Sequence, residues 1–481
     1  MGKKPFHDWE RKHDLLNNKN INGFQYWNYM RRDMGMSFSD EYTKVEPAFY
    51  RNMSEQGKEG IKEKLKKALL LLIPDRKGEP VRSDIMFLCH SRRQEIDGKM
   101  VSIYTDPVSD RFPGSVTVQR SGLGRYDRNK IYSKRLVFLD KISVMSYIYR
   151  YFVRFFRRRE YLEIKNRVLK EMEEPFRDLA GNYDLHPDPN DFAERVTVLY
   201  YLYRYRKPRF RRIIEKISPR VIVEVVGLSF DAKIINELAS ELNIETVELQ
   251  HGVGGLSFYY PEGTRMKQFA KWYFAFGDFW RDRMQPPIPR DHILSVGFPF
   301  FERQMRDYPE ESRNRESGAV IFISSRKYGR ELSGVASAFK RMKPETDVIY
   351  KLHPREYPDY KKKYASLEGE GIRVIADDRI PLYTLFSSCS AQVGVDSTAV
   401  YEGMGFGLNT FIWDIPRAVF LRPLVDGGYA RLFKDAAELS EMMEAGAEKR
   451  EYDTGLFWKE GSLDRMEREI SRIAGLRDSA G

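Results

Sequence analysis

The stretch AVIFISSRKYGRELSGVASAFKRMKPETDVIYKLHP, residues 319–354, decides the fold class that this sequence predicts. Its two ends, AVIFISS and DVIYKLHP, are nearly continuous apolar runs, as expected of strands covered on both faces in a parallel sheet. The residues between them follow a longer helical pattern. A strand, a helix and a second strand in succession predict a βαβ unit.

The same alternation extends outward from this stretch in both directions. Downstream, the apolar runs are IRVIAD (372–377), SAQVGVDS (390–397) and NTFIWD (409–414). Upstream, they are DIMFLCHS (84–91), SVTVQRS (115–121), RLVFLD (135–140), RVIVEVVG (220–227), ETVELQHG (245–252), YFAFGDF (273–279) and ILSVGFP (293–299). Two such series predict an α/β protein with two Rossmann-type, doubly wound domains and an interdomain cleft.

Shifts in composition divide the chain into five predicted segments. They are an N-terminal helical extension (1–80), a Rossmann-like domain (81–301), a charged linker (302–318), a second Rossmann-like domain (319–430) and a C-terminal helical segment (431–481). A helical insertion interrupts the first domain. Its densest part, residues 146–159, interleaves tyrosine and phenylalanine with arginine.

The overall composition narrows the possible partners and compartments. The 81 lysines and arginines exceed the 70 aspartates and glutamates, for a net charge of +11, and this surplus favours anionic partners. The two cysteines lack metal-ligand spacing, which argues against a disulfide framework or structural zinc. No signal peptide or membrane-spanning run is recognisable. We therefore expect a cytoplasmic protein, soluble or peripheral on the inner face of the membrane.

Polar residues follow three predicted strands of the second half, at the ends where open α/β sheets bind ligands. We expect the following residues to hold a nucleotide and its phosphates: Ser324, Ser325, Arg326, Lys351, His353, Pro354, Arg355, Ser397, Thr398 and Glu402. Hydroxyls and the amides of a helix N-terminus suit an anion. Serine or threonine at a helix start is also an ordinary N-cap, and that alternative remains open.

Three residues are candidates for acid–base chemistry. His353 ends a β-rich run between two basic residues, a context that favours phosphate binding or protonation of a leaving group. His186 also precedes a proline, but it lies in the turn-rich segment NYDLHPDPND. Glu224 and His251 end strands of the first half, and each is a candidate general base. For Glu224 the alternative is a carboxylate tied to a neighbouring helix start. No metal site and no cofactor are predicted.

Three short motifs, QHG at 250–252, HP at 353–354 and ST at 397–398, resemble those of the GT-B glycosyltransferases of surface and capsular polysaccharide synthesis. This group contains bacterial sialyltransferases, polysialyltransferases, Kdo transferases and CDP-glycerol glycerophosphotransferases. The resemblance covers residues 84–425 and implies a GT-B-like fold, with an N-terminal acceptor domain and a C-terminal donor domain. It further implies sugar transfer from a nucleotide-activated donor, a CMP-sugar above all, to a glycan or lipid-linked acceptor, without a required metal.

The resemblance also implies roles for single residues. His353-Pro354 matches the family's HP motif and Ser397-Thr398 matches its S-S/T motif, so both would hold the donor phosphate and the cytidine ribose. His251 matches the histidine of the HG element, a candidate general base. The segment Glu224-Val225-Val226-Gly227 only approximates an acidic motif of the sialyltransferases, with valines where a second acid stands. This departure leaves the identity of the base open.

Two other functions stay open. Non-hydrolysing UDP-N-acetylglucosamine 2-epimerases have a similar fold and a similar strand-Ser-helix-Glu segment, but they carry DSGG where this chain has Asp396-Ser397-Thr398-Ala399. A basic nucleic-acid-binding protein accounts for the charge and the aromatic run. It leaves the polar strand ends of the second half without a purpose, so nucleic acid is not the partner expected.

The basic aromatic run at 146–159 has two interpretations. Its tyrosines and phenylalanines could belong to a core whose arginines are solvated, or the run could dock on an anionic membrane surface. Docking would bring the protein to a lipid-linked acceptor.

Overall fold

The computed structural model describes residues 3–37, 79–90, 93–120, 128–253, 260–314, 318–325, 327–445 and 453–476. The chain forms two compact units. Unit 1 comprises Met1–Phe276, Trp280–Pro299 and Gly461–Gly481, and unit 2 comprises Gly277–Phe279 and Phe300–Glu460. Each unit is built on one parallel sheet.

The sheet of unit 1 has seven parallel strands in the order β5-β4-β1-β6-β7-β8-β9. A separate antiparallel hairpin pairs β2 with β3. The strands are β1 Ile85–Cys89, β2 Gln94–Ile96, β3 Lys99–Val101, β4 Val116–Gln119, β5 Leu136–Phe138, β6 Val221–Val225, β7 Glu245–Leu249, β8 Trp272–Ala275 and β9 Ile293–Ser295. Strands β1, β4 and β6 are buried along their whole length, which explains their continuous apolar sequences.

The sheet of unit 2 has six parallel strands in the order β12-β11-β10-β13-β14-β15. They are β10 Val320–Ile323, β11 Val348–Lys351, β12 Ile372–Ile375, β13 Ala391–Gly394, β14 Asn409–Trp413 and β15 Arg431–Phe433. When the strands of each sheet are numbered along the chain, their order across the sheet is 3-2-1-4-5-6, with a seventh strand at the edge in unit 1. This is the strand order of a Rossmann fold.

Helices connect the strands and frame the sheets. In chain order they are α1 Lys3–Lys12, α2 Leu15–Asn18, α3 Tyr26–Ser37, α4 Asp106–Ser109, α5 Asp140–Phe156, α6 Arg158–Tyr183, α7 Pro189–Ile217, α8 Phe230–Glu241, α9 Asp278–Arg283, α10 Pro299–Asp307, α11 Gly329–Met342, α12 Tyr360–Gly369, α13 Leu382–Ser387, α14 Ala399–Gly405, α15 Arg422–Asp426, α16 Ala436–Glu444, α17 Thr454–Phe457 and α18 Ser462–Ile473. Among the described residues, none of these helices combines the length and apolar character that a membrane span needs.

Each of the twelve apolar runs quoted from the sequence contains or overlaps a strand of one of the two sheets. The predicted α/β class with two Rossmann-type, doubly wound units is therefore confirmed. The cleft between the units stays a prediction.

The first helices of the chain are part of the core of unit 1 and do not form a separate extension. Trp9 and Trp27 are fully buried and pack in one cluster with Phe176 and Phe192 of the long helices α6 and α7. The indole of Trp9 donates a hydrogen bond to the carbonyl of Pro175, at 3.2 Å. Part of the predicted extension, residues 38–78, lies outside the described residues.

The two later segment boundaries also differ from the prediction. Residues 431–433 were expected to be helical, but they form β15 and pair with β14, because Phe433 is buried in the core of unit 2. Helix α18 belongs to unit 1, where Met466 and Ile470 pack with the buried strand residues of β6. The predicted linker begins inside α10, and the ring of Phe301 in that helix packs at a tilt against Trp458, with 4.3 Å between the ring centroids.

Candidate functional site

In each sheet the first strand and the fourth strand along the chain are neighbours, and successive strands are added outward from them in opposite directions. Open α/β sheets bind ligands at this switch point, beyond the carboxyl ends of the strands. In unit 2 the switch point lies between β10 and β13. Ser324 and Ser325 follow β10, and Asp396 and Ser397 follow β13 shortly after its end. The structure therefore brings two of the three predicted polar strand ends to one edge, beside the third at the end of β11.

The two adjacent serines after β10 differ in their contacts. The Ser324 hydroxyl donates to Glu356 Oε2 at 2.7 Å. The Ser325 hydroxyl is buried, with 4% of the residue exposed, and among the described residues it has no hydrogen-bond partner. A buried hydroxyl without a partner costs about 1–3 kcal/mol. Ser325 thus offers an unused donor at the switch point, whereas Ser324 supports the structure.

Glu356 holds the turn that carries His353. The backbone N–H of His353 donates to Glu356 Oε2 at 2.9 Å, and the backbone N–H of Glu356 donates to the His353 carbonyl at 2.8 Å. The hydroxyl of Tyr364 donates to the second carboxylate oxygen of Glu356. The three-residue spacing is that of a capping box. The spacing of His353 and Glu356 was a sequence signal for the role of Glu356. It was missed because the first position of this capping box holds His353 and not serine or threonine.

His353 itself is held in one tautomer. Its Nδ1 accepts a hydrogen bond from the backbone N–H of Arg355 at 3.1 Å, which assigns the proton of the neutral ring to Nε2. The residue is partly exposed, and Pro354 and Arg355 are exposed. A ring with Nε2–H is a hydrogen-bond donor, so the predicted phosphate-binding role of His353 fits this geometry.

The side chain of Lys351 makes its hydrogen bonds on the side of β11 that faces β12. Its ammonium donates to the Asp377 carbonyl at 2.6 Å and to the Tyr357 hydroxyl at 2.8 Å, and burial lowers its pKa. Because Asp377 follows β12, the ammonium lies on the side of β11 away from the switch point. We correct the predicted ligand contact of Lys351 to a structural role. Arg326, also predicted to bind the ligand, lies outside the described residues.

The segment after β13 contains the predicted residues Ser397, Thr398 and Glu402. Ser397 Oγ accepts a hydrogen bond from the Ala399 N–H at 3.2 Å, immediately before α14, and Thr398 is the residue preceding that helix. Ser397 Oγ thus closes a local turn before the helix, and the predicted N-cap hydrogen bond to a serine or threonine side chain is not observed there. Glu402 lies within α14 and accepts a hydrogen bond from the Tyr383 hydroxyl at 2.9 Å, and burial raises its pKa to about 7.

In unit 1 two glutamates form a buried pair next to the switch point between β1 and β6. Glu224 of β6 and Glu248 of β7 are direct partners in the parallel pairing, and both are fully buried. Asn236 of α8 donates to Glu224 Oε1 at 2.7 Å, and the N–H of Gly227 donates to Glu248 Oε1 at 2.9 Å. Among the described residues, Oε2 of each glutamate has no partner.

Gly227 separates the two carboxyl groups. A β-carbon at this position would lie 2.4 Å from Glu248 Oε2 and 2.7 Å from Glu224 Oε1. Burial raises the pKa of Glu224 to about 7. Burial, and then the charge of Glu224, raises the pKa of Glu248 to about 8. The pair therefore retains a proton near neutral pH.

These contacts change the role predicted for Glu224. Asn236 holds Glu224 from the middle of α8, so the carboxyl group is tied to a neighbouring helix, although not to a helix start as the alternative predicted. A carboxyl group with no exposed surface does not contact an acceptor in this structure, so Glu224 is a proton-holding group rather than the base. The second acid that the sequence motif lacked is Glu248, which only the register of β6 and β7 reveals.

Arg120 covers the switch point of unit 1. Its guanidinium donates to the carbonyls of Cys89 and Val225, the last residues of β1 and β6, to the carbonyl of Val226, and to the hydroxyl of Ser229. Ser229 is the N-cap of α8. A cation thus lies where a bound anion would otherwise meet this helix N-terminus.

His251 follows β7 and is held by the hydroxyl of Tyr104, which donates to its backbone carbonyl at 2.8 Å. Its ring stacks near that of His90, with 6.3 Å between the centroids. Burial, and then the charge of Arg120, lowers the pKa of His251 to about 4. The imidazole is therefore neutral at pH 7 and able to accept a proton. The residue is partly exposed, unlike Glu224.

Two further observations concern the described residues. Within them, no group of three or more histidine, cysteine, aspartate or glutamate side chains is arranged to hold a metal ion. Burial raises the pKa of the Cys89 thiol to about 11, so it is not a reactive thiolate at neutral pH.

The comparisons with known proteins return structures but no sequence family. No family model and no curated protein sequence matches the chain. Among solved structures, the chain is similar to the UDP-GlcNAc 2-epimerase from Methanocaldococcus jannaschii, with 12% identity, a TM-score of 0.48, and coverage of 81% of this chain and 99% of that one. The chain is also similar to the UDP-GlcNAc 2-epimerase from Neisseria meningitidis, bound to UDP-GlcNAc. The identity is 12% and the TM-score 0.46, and the match covers 81% of this chain and 99% of that one.

The calicheamicin glycosyltransferase CalG4 is also similar, with 12% identity, a TM-score of 0.43, and coverage of 82% of this chain and 95% of that one. At these TM-scores the matches carry no argument about activity. The fold rests on the strand order of the two sheets, and the function rests on the side chains at their switch points.

Proposed function

We propose that this protein is an enzyme that acts on a nucleotide-activated sugar, whose phosphates bind at the switch point of unit 2. The observation that carries the proposal is the hydroxyl of Ser325, which is buried, lacks a partner among the described residues, and follows the strand at that switch point. The Nε2–H of His353, at the end of the neighbouring strand, is a second donor for an anion.

The surroundings of these donors support an anion. Helix α11, fourteen residues long, begins at Gly329 after the same strand, and its N-terminus contributes a favourable potential. The carboxylate nearest to His353, that of Glu356, already accepts hydrogen bonds from Ser324, Tyr364 and the backbone of His353. Its charge is therefore stabilised within the fold.

The reaction we propose is glycosyl transfer. The donors of unit 2 stabilise the charge that develops on the departing phosphate. As the base for the acceptor hydroxyl we propose His251 of unit 1, whose imidazole is neutral at pH 7 and therefore has a ring nitrogen that can accept a proton. The motif resemblance favours a CMP-sugar as donor and a glycan or lipid-linked molecule as acceptor. On this proposal unit 2 is the donor domain and unit 1 is the acceptor domain.

A second candidate is a sugar-nucleotide epimerase. The observation that favours it is the segment after β13, where Glu402, one helical turn beyond Ser397, is partly buried and has a pKa raised to about 7. This is the strand-Ser-helix-Glu arrangement shared with the UDP-N-acetylglucosamine 2-epimerases. The threonine and alanine at 398 and 399, in place of two glycines, count against it.

The two candidates differ in what happens to the donor alone. The purified protein is incubated with CMP-sugars and UDP-sugars, with and without a mixture of glycan acceptors, and the products are separated by chromatography. Glycosyl transfer predicts that free nucleotide is released only when an acceptor is present. Epimerisation predicts a changed sugar on an intact nucleotide without any acceptor. If no nucleotide sugar changes and none stabilises the protein against thermal unfolding, the proposal is wrong.

A further inference from the structure

The elbow between α5 and α6 exposes a row of large apolar side chains to solvent. Phe155 is 71% exposed and Phe156 is 78% exposed, and with Phe152 and Ile148 they follow a helical spacing of three and four residues along α5. One residue, Arg157, separates the two helices. We call the surface formed by residues 145–162 around this junction the elbow patch.

The elbow patch is not the underside of a packed helix. The opposite face of α5 makes the packing contacts: Val153 is fully buried in the core of unit 1, and the Ser146 hydroxyl accepts a hydrogen bond from Arg206 of α7 at 2.9 Å. This corrects the interpretation in which the phenylalanines of the run belong to the core. Contiguous exposed apolar side chains on a soluble domain mark an interaction surface.

Positive charge surrounds these apolar side chains. Residues 146–163 contain five arginines and two glutamates. Glu160 and Glu163 pair with Arg157 and Arg159, which leaves the region with a net positive charge. Arg158 is exposed at the same junction. An apolar stripe flanked by arginines is the pattern of helices that lie in the interface of an anionic bilayer.

We propose that the elbow patch docks on an anionic lipid bilayer, with Phe155 and Phe156 inserted below the headgroups and the neighbouring arginines contacting lipid phosphates. Phenylalanine offers no hydrogen-bonding group to nucleic acid, and stacking on bases requires free ring faces. The rings of Phe152 and Phe156 already stack on each other, with 5.1 Å between their centroids. The proposal does not depend on the nature of the reaction.

The test is co-sedimentation of the full chain with vesicles of pure phosphatidylcholine and of phosphatidylcholine with phosphatidylserine. We expect the native chain to bind the anionic vesicles. In the double variant Phe155→Ser/Phe156→Ser the affinity should fall by about tenfold or more for each phenylalanine replaced. Arg158→Gln should weaken binding by about fivefold at low salt and by less at high salt.

Met342→Ser is the matched control, because Met342 is an exposed apolar residue of unit 2, 50% exposed, outside the elbow patch. It should leave vesicle binding unchanged. All three variants alter exposed side chains, and their thermal unfolding should match that of the native chain.

Three results would overturn the proposal. One is the absence of sedimentation with anionic vesicles, or sedimentation that the double variant does not reduce. The second is concentration-dependent self-association that the double variant abolishes, which would assign the patch to a second copy of the chain. The third is oligonucleotide binding that the same substitutions remove while vesicle binding persists.

Discussion

The two switch points share one strand order but carry opposite chemistry. In unit 1 the guanidinium of Arg120 lies over the ends of β1 and β6, and two buried glutamates share the space beside it. In unit 2 the corresponding edge carries the Ser325 hydroxyl, and the nearest carboxylate is saturated by donors. The topology fixes where a ligand can bind, whereas the side chains at the strand ends decide whether that edge binds anions or moves protons.

His251→Ala gives the largest effect predicted from this comparison. If proton transfer belongs to unit 1, this variant loses about 10²–10⁴-fold in turnover while its affinity for the nucleotide is unchanged. Turnover and nucleotide affinity are measured on the same preparation. His186→Ala is the control, since His186 is exposed on a loop, and it should keep full activity. Equal activity in both variants would remove His251 from the mechanism.

Gly227→Ala tests the packing of the glutamate pair. Its added methyl group would press into Glu248 Oε2 and Glu224 Oε1, so we expect a loss of about 1–3 kcal/mol in the free energy of unfolding. Gly181→Ala is the control: a β-carbon there meets nothing within 4 Å, and alanine in a helix is favoured by about 1 kcal/mol. Chemical denaturation measures both. No loss in Gly227→Ala would show that the carboxyl groups separate readily.

The adjacent serines of unit 2 separate binding from stability. Ser325→Ala removes a hydroxyl that has no partner among the described residues, so we expect nucleotide affinity to fall about tenfold with stability unchanged or raised. Ser324→Ala removes a donor to the buried Glu356 and should lower the free energy of unfolding by about 1 kcal/mol. Calorimetric titration and thermal unfolding report the two quantities. Unchanged affinity in Ser325→Ala would contradict the assigned phosphate contact.

The smallest predicted effect is a pH dependence that comes from unit 1. The pKa values of Glu224 and Glu248 are raised from 4.5 to about 7 and about 8 in the folded state, so between about pH 4.5 and pH 8 this pair binds more protons in the folded chain than in the unfolded chain. The free energy of unfolding should therefore fall as the pH rises to about 8 and then level off. Glu248→Gln should flatten this slope. Glu245→Gln, on the same strand but partly exposed, should not. A slope identical in both variants would contradict the raised pKa values.

The sequence predicts the sheets well because their strands are buried on both faces. Runs such as VIFI in β10 and VIVEV in β6 lie entirely within the core, so their nearly continuous apolar sequences identify them as strands without knowledge of the strands they pair with. The short strand β15 was missed, since three residues, only one of them fully buried, give no continuous apolar run. The polar ends of β10, β11 and β13 were correctly placed on one edge, because the ends of parallel strands meet there.

The partners of those residues could not be predicted from the sequence. Glu248 acts with Glu224 only through the register of two strands, and Arg120 reaches the switch point of unit 1 from the end of β4. Lys351 was assigned to a ligand although it turns towards β12. The exposure of Phe155 and Phe156 likewise depends on which face of α5 packs against α7. Each case is decided by tertiary contacts that local patterns do not contain.

The central claim, that unit 2 binds the phosphates of a nucleotide sugar, is tested most directly by calorimetric titration of CMP, CDP, UMP and UDP into the native chain and into His353→Ala. The proposal predicts binding of a pyrimidine nucleotide without added metal, weakened about tenfold in the variant because a hydrogen bond to a charged group is lost. Absence of binding by every nucleotide, or binding with equal affinity in both proteins, would contradict it.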